Sequence, residues 1–168
     1  HGLAGLELDA EALRNGTVAL VHARGVMPDG LPFNMPQSDP LPAPRDIREV
    51  FSPTQEGHLL MLGIPPYRPD GANTAESTNG APVRQRFTST ASPRFDETSG
   101  RDERPIALGR KNFRLLLDVE RAEGEIVLPL ARVRRDGSGH FVYDDRYIPP
   151  VLQVGASDAL LRLLGRVV

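Results

Sequence analysis

Asp136, Asp144 and Asp145 bracket a glycine-rich turn, Asp136-Gly137-Ser138-Gly139, and such carboxylates are the first place to look for a bound cation. A calcium loop needs oxygen ligands at close, regular spacing. Here eight positions separate Asp136 from Asp144, so a turn aspartate and two strand-end carboxylates describe the group better. Glu7, Asp9 and Glu11 form a second carboxylate run, of the kind that does acid–base work in glycosidases. Alternation puts Glu7 and Asp9 on the wet side of a strand, and with tryptophan absent and aromatics at 5% no sugar platform is evident. His22, His58 and His140 stand singly in strand-like segments and read as surface or boundary histidines, not metal ligands. Arg132, Arg134 and Arg135 lack the interleaved aromatics that stack nucleic-acid bases, so they read as a solvated strand face. The motifs GxSxG, GxxxxGK[ST], HExxH and GxGxxG are absent. The residues therefore point away from catalysis and predict neither cofactor nor metal.

The elements that must position these residues are short. The chain has 168 residues, a net charge of -2 and 39% hydrophobic content, the balance of one soluble globular domain. Near-neutral charge gives no reason to expect nucleic acid or an anionic membrane as partner. No apolar run approaches the ~20 residues that span a bilayer, and nothing at the start reads as a signal peptide. Cysteine is absent, which excludes a disulfide scaffold and suits a reducing cytoplasm. His1 in place of an initiator methionine, and an ending inside the apolar pattern Leu160 to Val168, lead us to expect a piece of a longer protein.

Sixteen glycines and sixteen prolines fall between short apolar runs, the signature of strands joined by turns. Strands are predicted over Leu3–Asp9, Thr17–Arg24, His58–Pro65, Val83–Phe87, Ile106–Asp118, Glu125–Arg135 and His140–Tyr147. Pro129 places its strand at an edge or a bulge. Ala10–Asn15 is a helical turn closed by Gly16, and Pro28-Asp29-Gly30 is a hairpin turn. Four prolines from Pro36 to Pro44 exclude a central strand and predict an extended surface segment. Asp70–Gly80 reads as an exposed, mobile loop, and Thr88–Arg104 as a polar stretch without a strand. Ser157 caps an amphipathic helix through Leu164. The fold class that follows is all-β, an antiparallel β-sandwich with a short C-terminal helix: sandwich over residues 3–156, helix over 157–168.

Six strings, in this order and spacing, carry a resemblance. They are Gly5-Leu6-Glu7-Leu8-Asp9; Ala23-Arg24-Gly25-Val26 with Pro28-Asp29-Gly30-Leu31-Pro32-Phe33; Asp39-Pro40-Leu41-Pro42; Ile106 through Leu117 (IALGRKNFRLLL); Leu128-Pro129-Leu130-Ala131-Arg132-Val133; and Asp144-Asp145-Arg146-Tyr147-Ile148-Pro149-Pro150. Together they resemble the N-terminal domain of the TssK family, also called ImpJ or VasE, the baseplate proteins of type VI secretion. The resemblance covers nearly the whole chain. It departs over the serine- and threonine-rich stretch Gln85–Ser99, and the family's usual opening segment is missing.

The resemblance implies a non-catalytic structural adaptor with a β-sandwich similar to the shoulder of siphophage receptor-binding proteins. It implies a cytoplasmic homotrimer of the full-length protein at the inner membrane. Its partners would be TssF and TssG through this domain, and TssL and TssM through a C-terminal part. Residues 157–168 would begin a helical neck. A carbohydrate- or ligand-binding β-sandwich module is the alternative, which a glycan array separates. As protein interface we single out Met35, Leu41, Pro42, Ile148, Pro149, Pro150 and Leu152, apolar or proline residues in stiffened segments that cannot pair centrally in a sheet. Two uses stay open for them: burial against a partner, or folding back to cover the chain's own sandwich.

Overall fold

The computed structural model describes residues 1–76, 83–95, 98, 100 and 103–167. Its elements begin with β1 (Gly2–Leu8), α1 (Ala10–Arg14), β2 (Thr17–Val18), β3 (Leu20–Val26), β4 (Pro32–Met35) and β5 (Arg45–Asp46). They continue through β6 (Gly57–Ile64), β7 (Thr74–Glu76), β8 (Phe87–Phe95) and β9 (Glu103–Lys111). Last come β10 (Arg114–Leu117), β11 (Ile126–Arg135), β12 (Phe141–Tyr143) and α2 (Asp158–Val167). The chain divides into two compact units, His1–Ile64 with Phe113–Val168, and Pro65–Asn112. The sequence reading did not make that division.

In the first unit period-two alternation builds two antiparallel sheets over one core. One sheet has the order β1-β3-β4 and the other β10-β6-β11-β12, with β2 and β5 pairing separately. Leu3, Leu20, Ala23, Phe33 and Met35 from the first sheet share a buried cluster with Leu60, Leu62, Ile64, Leu115, Leu117, Leu128, Leu130 and Val133 from the second. A fully buried leucine is worth roughly 1.5–3 kcal/mol, so this cluster dominates the unit's stability. The predicted run Thr17–Arg24 splits at Ala19: Val18 pairs with Arg45, while Leu20 pairs with Leu8. The expected hairpin is present, with Gly30 at φ +89° and its amide donating to the Met27 carbonyl at 2.9 Å. Pro129 sits at a register shift between Pro129 and Ala131, which lets a strand with a proline lie inside a sheet.

α1 forms where expected. Asp9 Oδ1 accepts from the Ala12 amide at 2.9 Å, and Gly16 ends it at φ +86°. The predicted strand Ile106–Asp118 is broken at Asn112 and Phe113, so β9 belongs to the second unit and β10 to the first.

The second unit is a sheet of order β7-β8-β9, with β7 parallel to β8 and β8 antiparallel to β9. Two expectations are corrected here. The polar stretch from Thr88 carries strand β8, and the predicted strand at Val83 begins only at Phe87. Alternation could not reveal β8, because residues on both of its faces remain in part open to water. Before Phe87 the Val83 and Gln85 carbonyls accept from the Asn112 side-chain amide, each at 2.9 Å, in place of ladder bonds. The expected loop over Asp70–Gly80 contains β7, and its last four residues lie outside the described ones.

Candidate interaction surface

A proline-stiffened segment meets the sandwich at one edge. β1 is an edge strand, and the chain after β12 returns to it: the Leu3 amide donates to the Pro150 carbonyl at 2.8 Å, and the Leu152 amide to the Leu3 carbonyl at 2.7 Å. The Gln153 side-chain amide adds a bond to the Ala4 carbonyl. This strap, Ile148–Gln153, shields the edge with its own backbone and leaves apolar side chains outward. Ile148 is 40% exposed and Leu152 52%, and Val154, just beyond the strap, is 42% exposed. The strap's backbone is thus fixed to its own sheet, yet its side chains are not used up.

Not every residue singled out from the sequence lies on that surface. Met35 is fully buried, because it closes β4 opposite Ala23 and points into the core. Pro42 and Pro149 are buried as well, and Pro150 is half-buried. Leu41, Ile148 and Leu152 are exposed. Proline content marked the segments but not their inward and outward sides. Between Met35 and Leu41 the chain is pinned by Asp39, whose Oδ2 accepts from the Asn34 amide at 2.9 Å.

The aspartate group has local work. Asp136 Oδ1 accepts from the amides of Ser138 at 2.8 Å and His140 at 3.0 Å, and these bonds, the Ser138 one foremost, hold its pKa below the usual carboxylate value. Asp144 Oδ1 accepts from the Arg146 amide at 3.1 Å, and its Oδ2 lies 3.3 Å from Arg132 Nη1. The Arg146 amide bond leads in depressing its pKa. The Asp144 side chain is only 6% exposed. Among the described residues no group of three or more His, Cys, Asp or Glu is placed to hold a metal ion.

His58, read as a surface or boundary residue, is fully buried. Its Nε2 accepts from the Ser52 amide at 3.0 Å and its Nδ1 lies 2.7 Å from Asp118 Oδ1. Since a backbone amide can only donate, Nε2 is the acceptor and the proton sits on Nδ1. The ring stacks edge-on to Phe51 at 4.7 Å between centroids. The histidine is a clamp between β6, the loop before it and the turn after β10.

The sequence reading also missed a cleft of about 360 Å³ at the base of α2. Leu6, Leu8, Ala131 and Pro149 line it together with the carboxylates Glu7, Asp145 and Asp158. The buried Tyr143 hydroxyl in its wall has no hydrogen-bond partner among the described residues, and burial, then the charge of Asp9, raise its pKa so that it stays an O–H. Above the cleft α2 turns Leu161, Leu163, Leu164 and Val167 to solvent. Among the described residues no helix is long and apolar enough to cross a membrane.

Comparison with known proteins gives this surface its context. The family model described as bacterial type VI secretion, VC_A0110, EvfL, ImpJ, VasE matches residues 1–168. The type VI secretion system baseplate component TssK1 of Pseudomonas aeruginosa is 34% identical over 160 residues, which are 95% of this chain and 35% of TssK1. A crystal structure of TssK superposes with a TM-score of 0.81 at 26% identity, covering 99% of this chain and 37% of that one. A chain of the TssK-TssF-TssG baseplate subcomplex, solved by cryo-electron microscopy, shares the fold with a TM-score of 0.82 at 24% identity, covering 98% of this chain and 54% of its own. This chain spans about a third to a half of the length of these relatives. With its antiparallel sheets, short C-terminal helix and end-to-end match, the chain belongs to the ImpJ/VasE family of bacterial type VI secretion.

Proposed function

We propose that this chain is the N-terminal part of a TssK-type baseplate adaptor, a non-catalytic cytoplasmic protein that works by being held between other proteins. The observation that carries the reading is the family match over residues 1–168. The relative sharing the fold in the cryo-electron microscopy structure is described with TssF and TssG, and we take those two as the partners of this domain. The rest of the full-length protein would form a homotrimer and reach TssL and TssM at the cytoplasmic side of the inner membrane. It would so link the TssF/TssG wedge to the membrane complex, with α2 starting the neck between the two parts.

Exposed apolar side chains on a strap already fixed by backbone bonds suit this role, because little conformational freedom is left to lose on binding. Leu41, Ile148 and Leu152 are the residues we assign to the contact. The test is retention of the chain by a TssF–TssG complex after Ile148→Asp with Leu152→Asp, and separately after Leu41→Asp. We expect retention to fall at least tenfold while circular dichroism and the unfolding midpoint hold. Unchanged retention would remove these residues from the interface, and loss of the fold would mean that they cover the core instead.

A further inference from the structure

We propose that the β8–β9 ribbon of one copy docks through Ile106 and Leu108 into the carboxylate-rimmed cleft at the base of α2 of a second copy. The inference rests on the self-association in the proposed function and names the surfaces that would carry it. β8 and β9 pair over nine residues, from Phe87 opposite Lys111 to Phe95 opposite Glu103. Among the described residues β7 backs only Phe87 to Ser89, and there the ribbon has two strands from Thr90 outward. A two-stranded ribbon is at best marginal in water, and a surface that packs against it is the usual remedy.

The edges of this ribbon do not invite another strand. The Asn112 amide bonds the Arg86 carbonyl at 2.9 Å, which makes that pair a hydrogen-bonded one. Counting along the register, Pro93 and Pro105 then face each other in a non-bonded pair, where backbone nitrogens point outward. Each edge thus carries a proline where an incoming strand needs an N–H, a known guard against edge pairing. That leaves the faces. Opposite residues share a face, so Ile106 and Leu108 stand beside Ser92 and Thr90, with Arg94 and Arg110 on the same side. Ile106 is 47% exposed.

The cleft of the other copy is the complement of this face. Its lining is apolar at Leu6, Leu8 and Pro149, and Glu7, Asp145 and Asp158 are exposed around it against the single cation Arg162. Arg162 is already turned to the Asp145 carbonyl. Ile106 and Leu108 would cover the apolar lining, Arg94 and Arg110 would meet the carboxylates, and the hydroxyl of Thr90 or Ser92 would accept from Tyr143 O–H. Arm and cleft lie on different patches, so the contact is head-to-tail and closes into a ring when the rotation permits.

The test uses two differently tagged copies of the full-length protein, produced together, one carrying a photo-reactive benzoylphenylalanine at position 106. Recovery of both tags before irradiation reads self-association by itself. After irradiation we expect covalent species bearing both tags, with the cross-link mapped to residues 6–10 or 143–158 of the other copy. Arg94→Glu with Arg110→Glu should cut that yield at least tenfold, as loss of close charge pairs does. Asp145→Arg with Asp158→Arg on the receiving copy should restore it. Both tags recovered but the cross-link mapped elsewhere would overturn this docking and leave self-association standing. Tags that never co-purify would overturn both.

Discussion

His58 is a titratable side chain put to structural use in the first unit. It is fully buried and joins the Ser52 amide to Asp118 through opposite ring nitrogens. His58→Ala would leave the Ser52 amide without its acceptor and a void beside Phe51, while Asp118 keeps the Val119 and Leu59 amides. The expected loss is roughly 2–4 kcal/mol in chemical denaturation, the sum of an unmet hydrogen bond and lost packing. A loss under about 1 kcal/mol would mean that water replaces the ring without penalty. Nothing in the sequence marked this residue. His58 opens an apolar run; the pairing of β6 with β10 sets Asp118 beside it, and the loop before β6 folds Ser52 back onto it. The same holds for Tyr143, whose unmet hydroxyl depends on how β12 packs near Asp9. A carboxylate run or a histidine can be seen in one dimension, but a satisfied or orphaned hydrogen bond exists only in three.

Elements with one wet and one dry face were legible. β1 and β11 follow apolar patterning because one side of each meets the core, and β6 follows from an unbroken apolar run buried on both sides from Leu60 to Ile64. α1, the hairpin at Gly30 and the bulge at Pro129 follow from turn and proline chemistry. β8 escaped because neither of its faces is fully dry. The break at Asn112 escaped because the apolar run on either side gives no sign that the strand changes units. β3 shows how little slack the paired elements have. A Cβ on Gly25 would come within 2.4 Å of the Gly2 carbonyl oxygen and 3.0 Å of Phe33 Cζ. Backbone cannot give way as a flexible side-chain end can, so Gly25→Ala should push β1 from β3. We expect a loss of about 1–3 kcal/mol or more in thermal or denaturant unfolding, the range of overpacked cores. An unchanged midpoint would show that the first sheet tolerates a wider spacing there.

For the whole molecule, fold class and family were within reach of the sequence, because six short strings kept their order and spacing. The exposed apolar surface was reached only in part. Prolines identified the stiff segments, yet of the apolar side chains in them Met35 turned inward while Leu41, Ile148 and Leu152 turned outward. Direction is set by pairing with Ala23 in one case and with Leu3 at the opposite end of the chain in the other. The central claim is that this chain is an adaptor held by other baseplate proteins. The most direct measurement is its mass by light scattering after size exclusion, alone and mixed with a TssF–TssG complex. The account predicts a new species whose mass is that of the complex plus the chain. Separate elution of the two at micromolar concentration, with the chain folded by circular dichroism, would contradict it.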